Sequence, residues 1–170
     1  RTCRQTDYTV LKMKKTINYL ISLIFPRTCS CCAKNMPFEK NENICKSCFD
    51  SFSKIKGLFC KRCGAPLKDG GAHCYDCKKD GKSVYFDVLR APYMYETAIK
   101  KLIKKFKYSG RSFLAEELSV PMTDLIRKEA WDNQIDAVIA VPLHFFKKFK
   151  RGYNQSYLLA RHIGLALQKE

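Results

Sequence analysis

From residue 96 onward the apolar positions keep a helical period. Ile99, Leu102, Ile103 and Phe106 form one stripe, and Lys100, Lys101, Lys104, Lys105 and Lys107 lie mostly off it. This predicts an amphipathic helix over 96–108 with its apolar stripe in the core, ended by Ser109-Gly110. Ser112 is placed to cap a second helix, with Leu114 and Leu118 buried and Met122, Leu125 and Ile126 continuing the face; Pro121 should kink or restart it. The pattern then changes. Ile135–Val141 (IDAVIAV) is a nearly unbroken apolar run of strand length, as in a buried parallel strand. A basic loop with Lys147, Lys148, Lys150 and Arg151 follows. A last helix starts near Asn154-Gln155-Ser156 and carries Leu158, Leu159, Ile163, Ala166 and Leu167. Upstream, Val84–Tyr95 is rich in aromatic and β-branched residues and reads as one or two strands around Arg90–Pro92. Strands, helix, helix, strand, loop and helix in that order predict an α/β domain with a mainly parallel sheet.

The stretch before this domain has another logic. Four Cys-x2-Cys pairs, Cys29/Cys32, Cys45/Cys48, Cys60/Cys63 and Cys74/Cys77, follow one another at nearly equal spacing. Two thiolates two residues apart grip one metal ion from a single tight turn, and zinc takes four ligands in a tetrahedron. Four knuckles therefore predict two structural Zn2+ sites of four thiolates each, with no open coordination position for catalysis. A disulfide framework is the competing reading; it needs an oxidising compartment, and regularly repeated Cys-x2-Cys is the metal pattern. Sequential pairing, first knuckle with second and third with fourth, is the simpler arrangement; spacing leaves an interleaved one open. Few long apolar runs accompany the cysteines, so metal binding should supply most of the folding energy of this block. Cys31 reads as a bystander between two ligands, although it is placed to replace a neighbour. His73 abuts Cys74 and reads as a surface residue rather than a substitute ligand.

At the N-terminal end, residues 13–25 (MKKTINYLISLIF) have the basic start and short apolar run of a signal peptide. No small-x-small cleavage site follows. Ile17, Leu20, Ile21 and Ile24 share one helical face, so residues 1–25 read as a tail and a short amphipathic helix. Cys3 stands alone there. Lys78–Lys82 is a polar turn and a plausible boundary, giving a metal block over 26–80 and an α/β part over 81–170. The chain begins with Arg1, has its first Met at 13, and reaches Glu170 within a helical pattern; it reads as a fragment.

Composition sharpens the functional question. The chain has 170 residues with 32 Lys+Arg against 16 Asp+Glu, a formal +16. Such a charge favours nucleic acid, phosphorylated ligands or acidic membrane, with a solvated lysine-rich surface as the bland alternative. No apolar run reaches the roughly 18 residues of a membrane span, so a cytoplasmic protein is expected. In an open α/β sheet, ligands bind beyond the carboxyl ends of the strands. Here that place is Pro142–His144 and the loop through Gln155. Arg151 offers charge for a phosphate, Gly152 close backbone approach, and Asn154 and Gln155 amide donors. A helix N-terminus near Ser156 adds partial positive charge. The set favours an anionic, phosphate-bearing ligand over a plain basic loop.

These residues also carry a resemblance. The run AVIAVPLHFFKKFKRGYNQSYLLAR over 137–161 resembles the VPVPL…RGFNQ…LA signature of the ComF proteins, the phosphoribosyltransferase-like proteins of bacterial competence. The segment ending Phe106-Lys107-Tyr108-Ser109-Gly110 is similar to that family's "I..LKY.G", and the four Cys-x2-Cys pairs to its double zinc ribbon. The resemblance covers residues 13–170. It implies a type I phosphoribosyltransferase fold, a transferase built on a parallel sheet, after a double zinc ribbon. It places Val141, Pro142, Leu143 and His144 at the pyrophosphate loop for phosphoribosyl pyrophosphate (PRPP), and Arg151, Gly152, Asn154 and Gln155 in the neighbouring loop. No residue is assigned a catalytic role, and His144 is expected to be structural or solvent-facing.

The family pattern also includes a PRPP loop, an apolar strand followed by two acidic residues and a Thr-Thr-Gly-like turn. No such stretch is present, and the nearest acidic pair, Glu116-Glu117, falls on a predicted helix. The α/β part is therefore expected to be incomplete, the substrate site half built and this stretch inactive by itself. PRPP would bring Mg2+, whose usual partners belong to the missing loop. The implied role is in DNA uptake during natural competence, with other competence proteins as possible partners. The competing reading is a non-enzymatic zinc-ribbon protein that binds single-stranded nucleic acid, with Phe145, Phe146, Phe149 and Tyr153 stacking among lysines.

Overall fold

The computed structural model describes residues 26–37, 42–78 and 85–170. The expected helix at 13–25 and Cys3 lie outside the described residues. The chain divides into two compact units, Arg1–Asp50 and Ser51–Glu170. The division falls between the two cysteine ribbons, whereas the composition changes after Cys77.

In the first unit the chain folds around its cysteines. An antiparallel bridge pairs Thr28 with Asn35. Cys29 N donates to Lys34 O at 2.8 Å, and Ala33, at φ +62°, closes the turn with Ala33 N to Cys29 O at 2.9 Å. Ser30 N donates to Asn43 O at 2.7 Å, which brings the second knuckle alongside. Cys45 leads into helix α1, Lys46–Asp50, which carries Cys48. Apart from Cys29 and Ser30, the buried described residue of this unit is Ile44.

The second unit repeats this plan. Phe59 bridges Pro66, Cys60 N donates to Ala65 O at 2.8 Å, and Gly64 N donates to Cys60 O at 2.9 Å. Cys74 leads into the short helix α2, Tyr75–Lys78, which carries Cys77. Gly64 stands where Ala33 stands in the first ribbon, but under a second constraint. Its φ is +70°, and a Cβ there would lie 2.8 Å from the carbonyl oxygen of Leu89. Leu89 N in turn donates to Arg62 O at 2.7 Å, so segment 88–90 lies directly on the ribbon turn. Arg90 fastens it. Its guanidinium donates to Lys61 O and Leu89 O, both at 2.9 Å, and lies over the rings of Phe59 at 5.0 Å and Trp131 at 5.8 Å. Its Nε is 3.7 Å from Glu129 Oε2. Phe52 meets Tyr93 edge to face, and Met94 N donates to Ser53 O at 2.8 Å.

The rest of this unit is helical. Helix α3, Thr97–Tyr108, buries Ile99, Leu102 and Phe106, the predicted stripe, with Ile103 half-buried. Helix α4 spans Leu114–Lys128 and runs through Pro121 without a break. Proline removes one backbone donor there. Nearby, Ser119 Oγ donates to Glu116 O at 2.6 Å and Thr123 Oγ1 to Ser119 O at 3.1 Å. Leu114 is buried as expected and Leu118 half-buried, while Ser112 caps nothing with its side chain; Phe113 holds the N-cap position. Helix α5 is Phe145–Arg151 and helix α6 is Gln155–Leu167. Helix α4 packs on α6, joined by Arg127 Nη2 to Ala166 O at 2.8 Å.

The expected parallel sheet is not found among the described residues, which contain isolated bridges only. Residues 135–144 form neither helix nor strand, with Ile139 87% and Val141 71% exposed, where the apolar run predicted burial. Val138 N donates to Glu170 O, and Val141 O accepts from Asn154. A strand's pairing groups must be met by a neighbour, and no neighbouring strand is among the described residues. Among the described residues 85–95, the strands expected over 84–95 reduce to one bridge, Lys54 with Tyr93.

Gly57 and Gly64, two of the positive-φ glycines of the second unit, separate strain from close approach. Gly57, at φ +78°, has open space around its missing Cβ. Gly57→Ala should cost about 1 kcal/mol from backbone strain. Gly64→Ala must also displace the Leu89 carbonyl and should cost roughly 2 kcal/mol or more. Denaturant melts of zinc-loaded protein measure both; equal losses would remove the close approach from the account.

Candidate metal centres and the basic loop

The eight knuckle cysteines gather into two groups, Cys29, Cys32, Cys45 and Cys48, and Cys60, Cys63, Cys74 and Cys77. Within each, all four sulfurs lie within 4.8 Å of one another. The pairing is thus sequential, the choice that spacing had left open. Four sulfurs at ~2.3 Å from one ion in a tetrahedron stand ~3.8 Å apart. Cys32 Sγ and Cys45 Sγ are 3.8 Å apart, and Cys63 Sγ and Cys74 Sγ 3.6 Å. The donor set and its geometry fit a structural Zn2+ in each group. None of the described cysteines forms a disulfide. Cys31 lies outside the first group, but its backbone N–H points at Cys29 Sγ from 3.4 Å, as does that of Cys45 from 3.3 Å. His73 is likewise outside the second group, with Nδ1 3.9 Å from Cys60 Sγ.

The thiols of a group are not equivalent. Burial pushes Cys29 up, but the amides of Cys45, Cys32 and Cys31 outweigh it and bring the thiol down to about 6. Cys60 is buried too, and the amides of Cys63 and Cys74 with the His73 ring bring it down to about 5. Burial and the neighbouring sulfurs push Cys77 up to about 12 and raise Cys48 as well. Cys45 and Cys63 are raised despite amides of Cys48 and Ala65 that pull them down. Without a cation, one thiolate per group is stabilised, and Cys45, Cys48, Cys63 and Cys77 hold their protons more tightly; a divalent ion removes that repulsion.

The segment expected to be a basic loop is helical: Lys147, Lys148, Lys150 and Arg151 lie on α5, and Gly152–Asn154 join it to α6. Gly152 closes α5 at φ +80°, its N–H donating to Lys148 O at 2.8 Å. Arg151 lies over the Tyr108 ring at 4.8 Å and donates to Gln155 Oε1 at 3.0 Å and Tyr108 Oη at 3.3 Å. The Tyr153 hydroxyl donates to Phe106 O; burial raises its pKa, against the lowering charge of Arg151. Asn154 caps α6, its Oδ1 accepting from Ser156 N at 3.0 Å while its Nδ2 donates to Val141 O at 3.2 Å. The motif Arg-Gly-Tyr-Asn-Gln is therefore a clasp joining α3, α5, α6 and residue 141. Val141 and Pro142 are exposed and Leu143 half-buried; His144 is exposed and stacks on Phe146 at 5.5 Å. On α5 itself Phe145, Phe146 and Phe149 are 73%, 74% and 83% exposed among Lys147, Lys148 and Lys150. The clasp roles of Tyr108 and Tyr153 were not foreseen; the nearest sequence signal is an aromatic at each end of a basic segment. Among the described residues, the groupings of three or more metal-ligating side chains are the two cysteine sets. No carboxylate set for Mg2+ accompanies the loop there, and Glu116 and Glu117 lie in the first turn of α4.

Each metal site must shed the protons of its raised thiols, at least Cys45 and Cys48 in one and Cys63 and Cys77 in the other. Zinc affinity should therefore rise with pH by at least about a hundredfold per unit near neutrality, and fall as pH drops, because at least two protons leave per ion. Chelator competition at two pH values measures this; an affinity independent of pH would contradict it. Replacing Cys60 by Ser should reduce bound zinc from two ions per chain to one, read by metal analysis; an unchanged count would exclude Cys60 as a ligand.

Comparison with known proteins supplies the frame. Residues 20–78 match the family model described as a double zinc ribbon domain. The chain is 28% identical over 138 residues, 79% of its length, to "Competence protein F" of Haemophilus influenzae, covering 58% of that protein. It is 27% identical over 126 residues, 72% of its length, to "Competence protein ComFC" of Bacillus subtilis, covering 52% of it. The chain thus spans little more than half the length of these relatives. No solved structure matches it significantly. Among the described residues no helix is long and apolar enough to cross a membrane.

Proposed function

The chain belongs to the ComF family, and from that premise we propose that it acts in DNA uptake during natural competence as a phosphoribosyltransferase-like protein. In this reading the ribbons are a zinc-held platform. Residues 135–141, irregular among the described residues, would become a strand of a parallel sheet beside partner strands. The loop after it, with Val141, Pro142, Leu143 and His144, receives the pyrophosphate of PRPP. Arg151, Gly152, Asn154 and Gln155 set that loop against α6, whose N-terminus faces anions favourably. The observation that carries the reading is the link from Asn154. One side chain caps α6 and holds Val141 O at 3.2 Å, so the end of the apolar run and a helix N-terminus are fixed side by side. The role of the clasp is positional. Arg151 spends its guanidinium on Tyr108 and Gln155, and its contribution to an anion is long-range charge. Mg2+ would accompany PRPP. Cytoplasmic placement and contact with other competence proteins belong to the same proposal.

A second reading rests on a separate observation, the three exposed phenylalanines of α5. Exposed rings interleaved with lysines suit single-stranded DNA, with bases stacked on Phe145, Phe146 or Phe149 and phosphates near Lys147, Lys148 and Lys150. The two readings are compatible.

Isothermal titration of the natural-length, zinc-loaded protein tests the first. Saturable, Mg2+-dependent PRPP binding is expected, weakened about tenfold in Asn154→Ala, which frees both the α6 cap and residue 141. Absence of PRPP binding at millimolar concentration would overturn it. For the second, affinity for single-stranded DNA should fall with a log–log salt slope of about −2, as three lysines at ~0.7 each require. Phe149→Ala should weaken binding about tenfold through a lost stack; unchanged binding in Phe145→Ala, Phe146→Ala and Phe149→Ala would exclude it.

A further inference from the structure

The two cysteine groups have the same donors in unequal surroundings. In the second group Cys60 is buried and Cys63, Cys74 and Cys77 are half-buried. In the first, Cys29 is buried, Cys45 and Cys48 are half-buried, and Cys32 is exposed. One thiolate of the first site is therefore open to a ligand arriving from solvent.

The turns that carry the thiolates differ in the same direction. The second turn passes through Gly64 at φ +70°, which has no Cβ to strain. The first passes through Ala33 at φ +62°, a conformation that L side chains disfavour. Holding the first set of ligands together keeps this strained residue in place, and opening the turn relieves it. The second turn is also gripped by segment 88–90. Lys61 O accepts from Arg90 Nη2 at 2.9 Å, Arg62 O accepts from Leu89 N at 2.7 Å, and the Leu89 carbonyl occupies the space beside Gly64. The backbone N–H groups of Cys29, Ser30 and Ala33 donate to Lys34, Asn43 and Cys29, all in their own ribbon. The first ribbon lies in the unit that ends at Asp50, whereas the second shares a unit with α3 to α6. Opening the second site must break the grip of segment 88–90 as well as the ribbon's own turn.

We propose that the first group is an exchangeable site for a thiophilic divalent cation and the second a permanent one. The first ribbon then folds and unfolds with metal supply while the second ribbon and α3 to α6 stay folded. Cys32 is the arm that detaches. Its bond to the cation breaks as an incoming ligand bonds, and the freed thiolate takes a proton from water. Once the cation has left, little remains to order the first ribbon, because metal binding there is folding free energy. The exchange does not depend on PRPP binding.

Timed EDTA treatment of the natural-length, zinc-loaded protein tests this, read by native mass spectrometry and by mass mapping of cysteines alkylated with iodoacetamide. One ion should leave at least about tenfold faster than the other, since each added hydrogen bond at the second turn contributes a few-fold. In the one-zinc species Cys29, Cys32, Cys45 and Cys48 should be alkylated, and Cys60, Cys63, Cys74 and Cys77 protected. The NMR methyl signals of Met36 and Ile44 should collapse to unfolded positions while those of Ile99 and Leu102 in α3 hold theirs. Ala33→Gly keeps every ligand and removes the strain. It should slow the first loss about three- to fivefold and leave the second unchanged. Loss of both ions together, a one-zinc species alkylated on the second set, α3 signals that collapse with the first ion, or an Ala33→Gly protein that releases its first ion as fast as the native one would overturn the proposal.

Discussion

Four thiolates around one divalent cation, twice over, are the constraint from which the ribbons take their shape. The first ribbon buries little beyond Cys29, Ser30 and Ile44 among its described residues, far too little apolar surface to order such a segment unaided. Structural zinc supplies binding free energy of about 10 kcal/mol or more at neutral pH, which becomes folding free energy where no preformed site exists. The amide groups that converge on Cys29 and Cys60 complete the arrangement, since each turn stabilises one thiolate before the metal collects the rest.

The second ribbon does more than repeat the first. Where the first has Ala33, the second has Gly64, whose missing Cβ admits the Leu89 carbonyl. Arg90 then ties Lys61 and Leu89 to the neighbourhood of Trp131 and Glu129. A metal-held turn is thereby built into the same unit as α3 to α6. Loss of the second zinc should therefore loosen segment 88–90, which lies on the ribbon turn.

Much of this was legible in the residues. Period and spacing located α3, its buried stripe and both cysteine groups, because a 3.6-residue stripe and a two-residue ligand spacing are local signals. Pro121 does not restart the helix, because tertiary packing of α4 on α6 outweighs one missing backbone donor. The apolar run 135–141 encodes burial only beside partner strands, and none is among the described residues, so Ile139 and Val141 stand exposed. Arg151, Asn154 and Gln155 were read as ligand donors from their chemistry. Their partners, Tyr108, Val141 and Ser156, are fixed by tertiary geometry and left only their side-chain types in the sequence. The family resemblance, carried by the cysteine spacing and the RGYNQ segment, agrees with the double zinc ribbon match and the two competence relatives.

The most direct test of the account is a cadmium–proton correlation NMR spectrum of the 113Cd-substituted protein. Two cadmium resonances are expected, one coupled to the β protons of Cys29, Cys32, Cys45 and Cys48 and the other to those of Cys60, Cys63, Cys74 and Cys77. A single resonance, or couplings that mix the two sets, would contradict two independent sequential sites and the fold built on them.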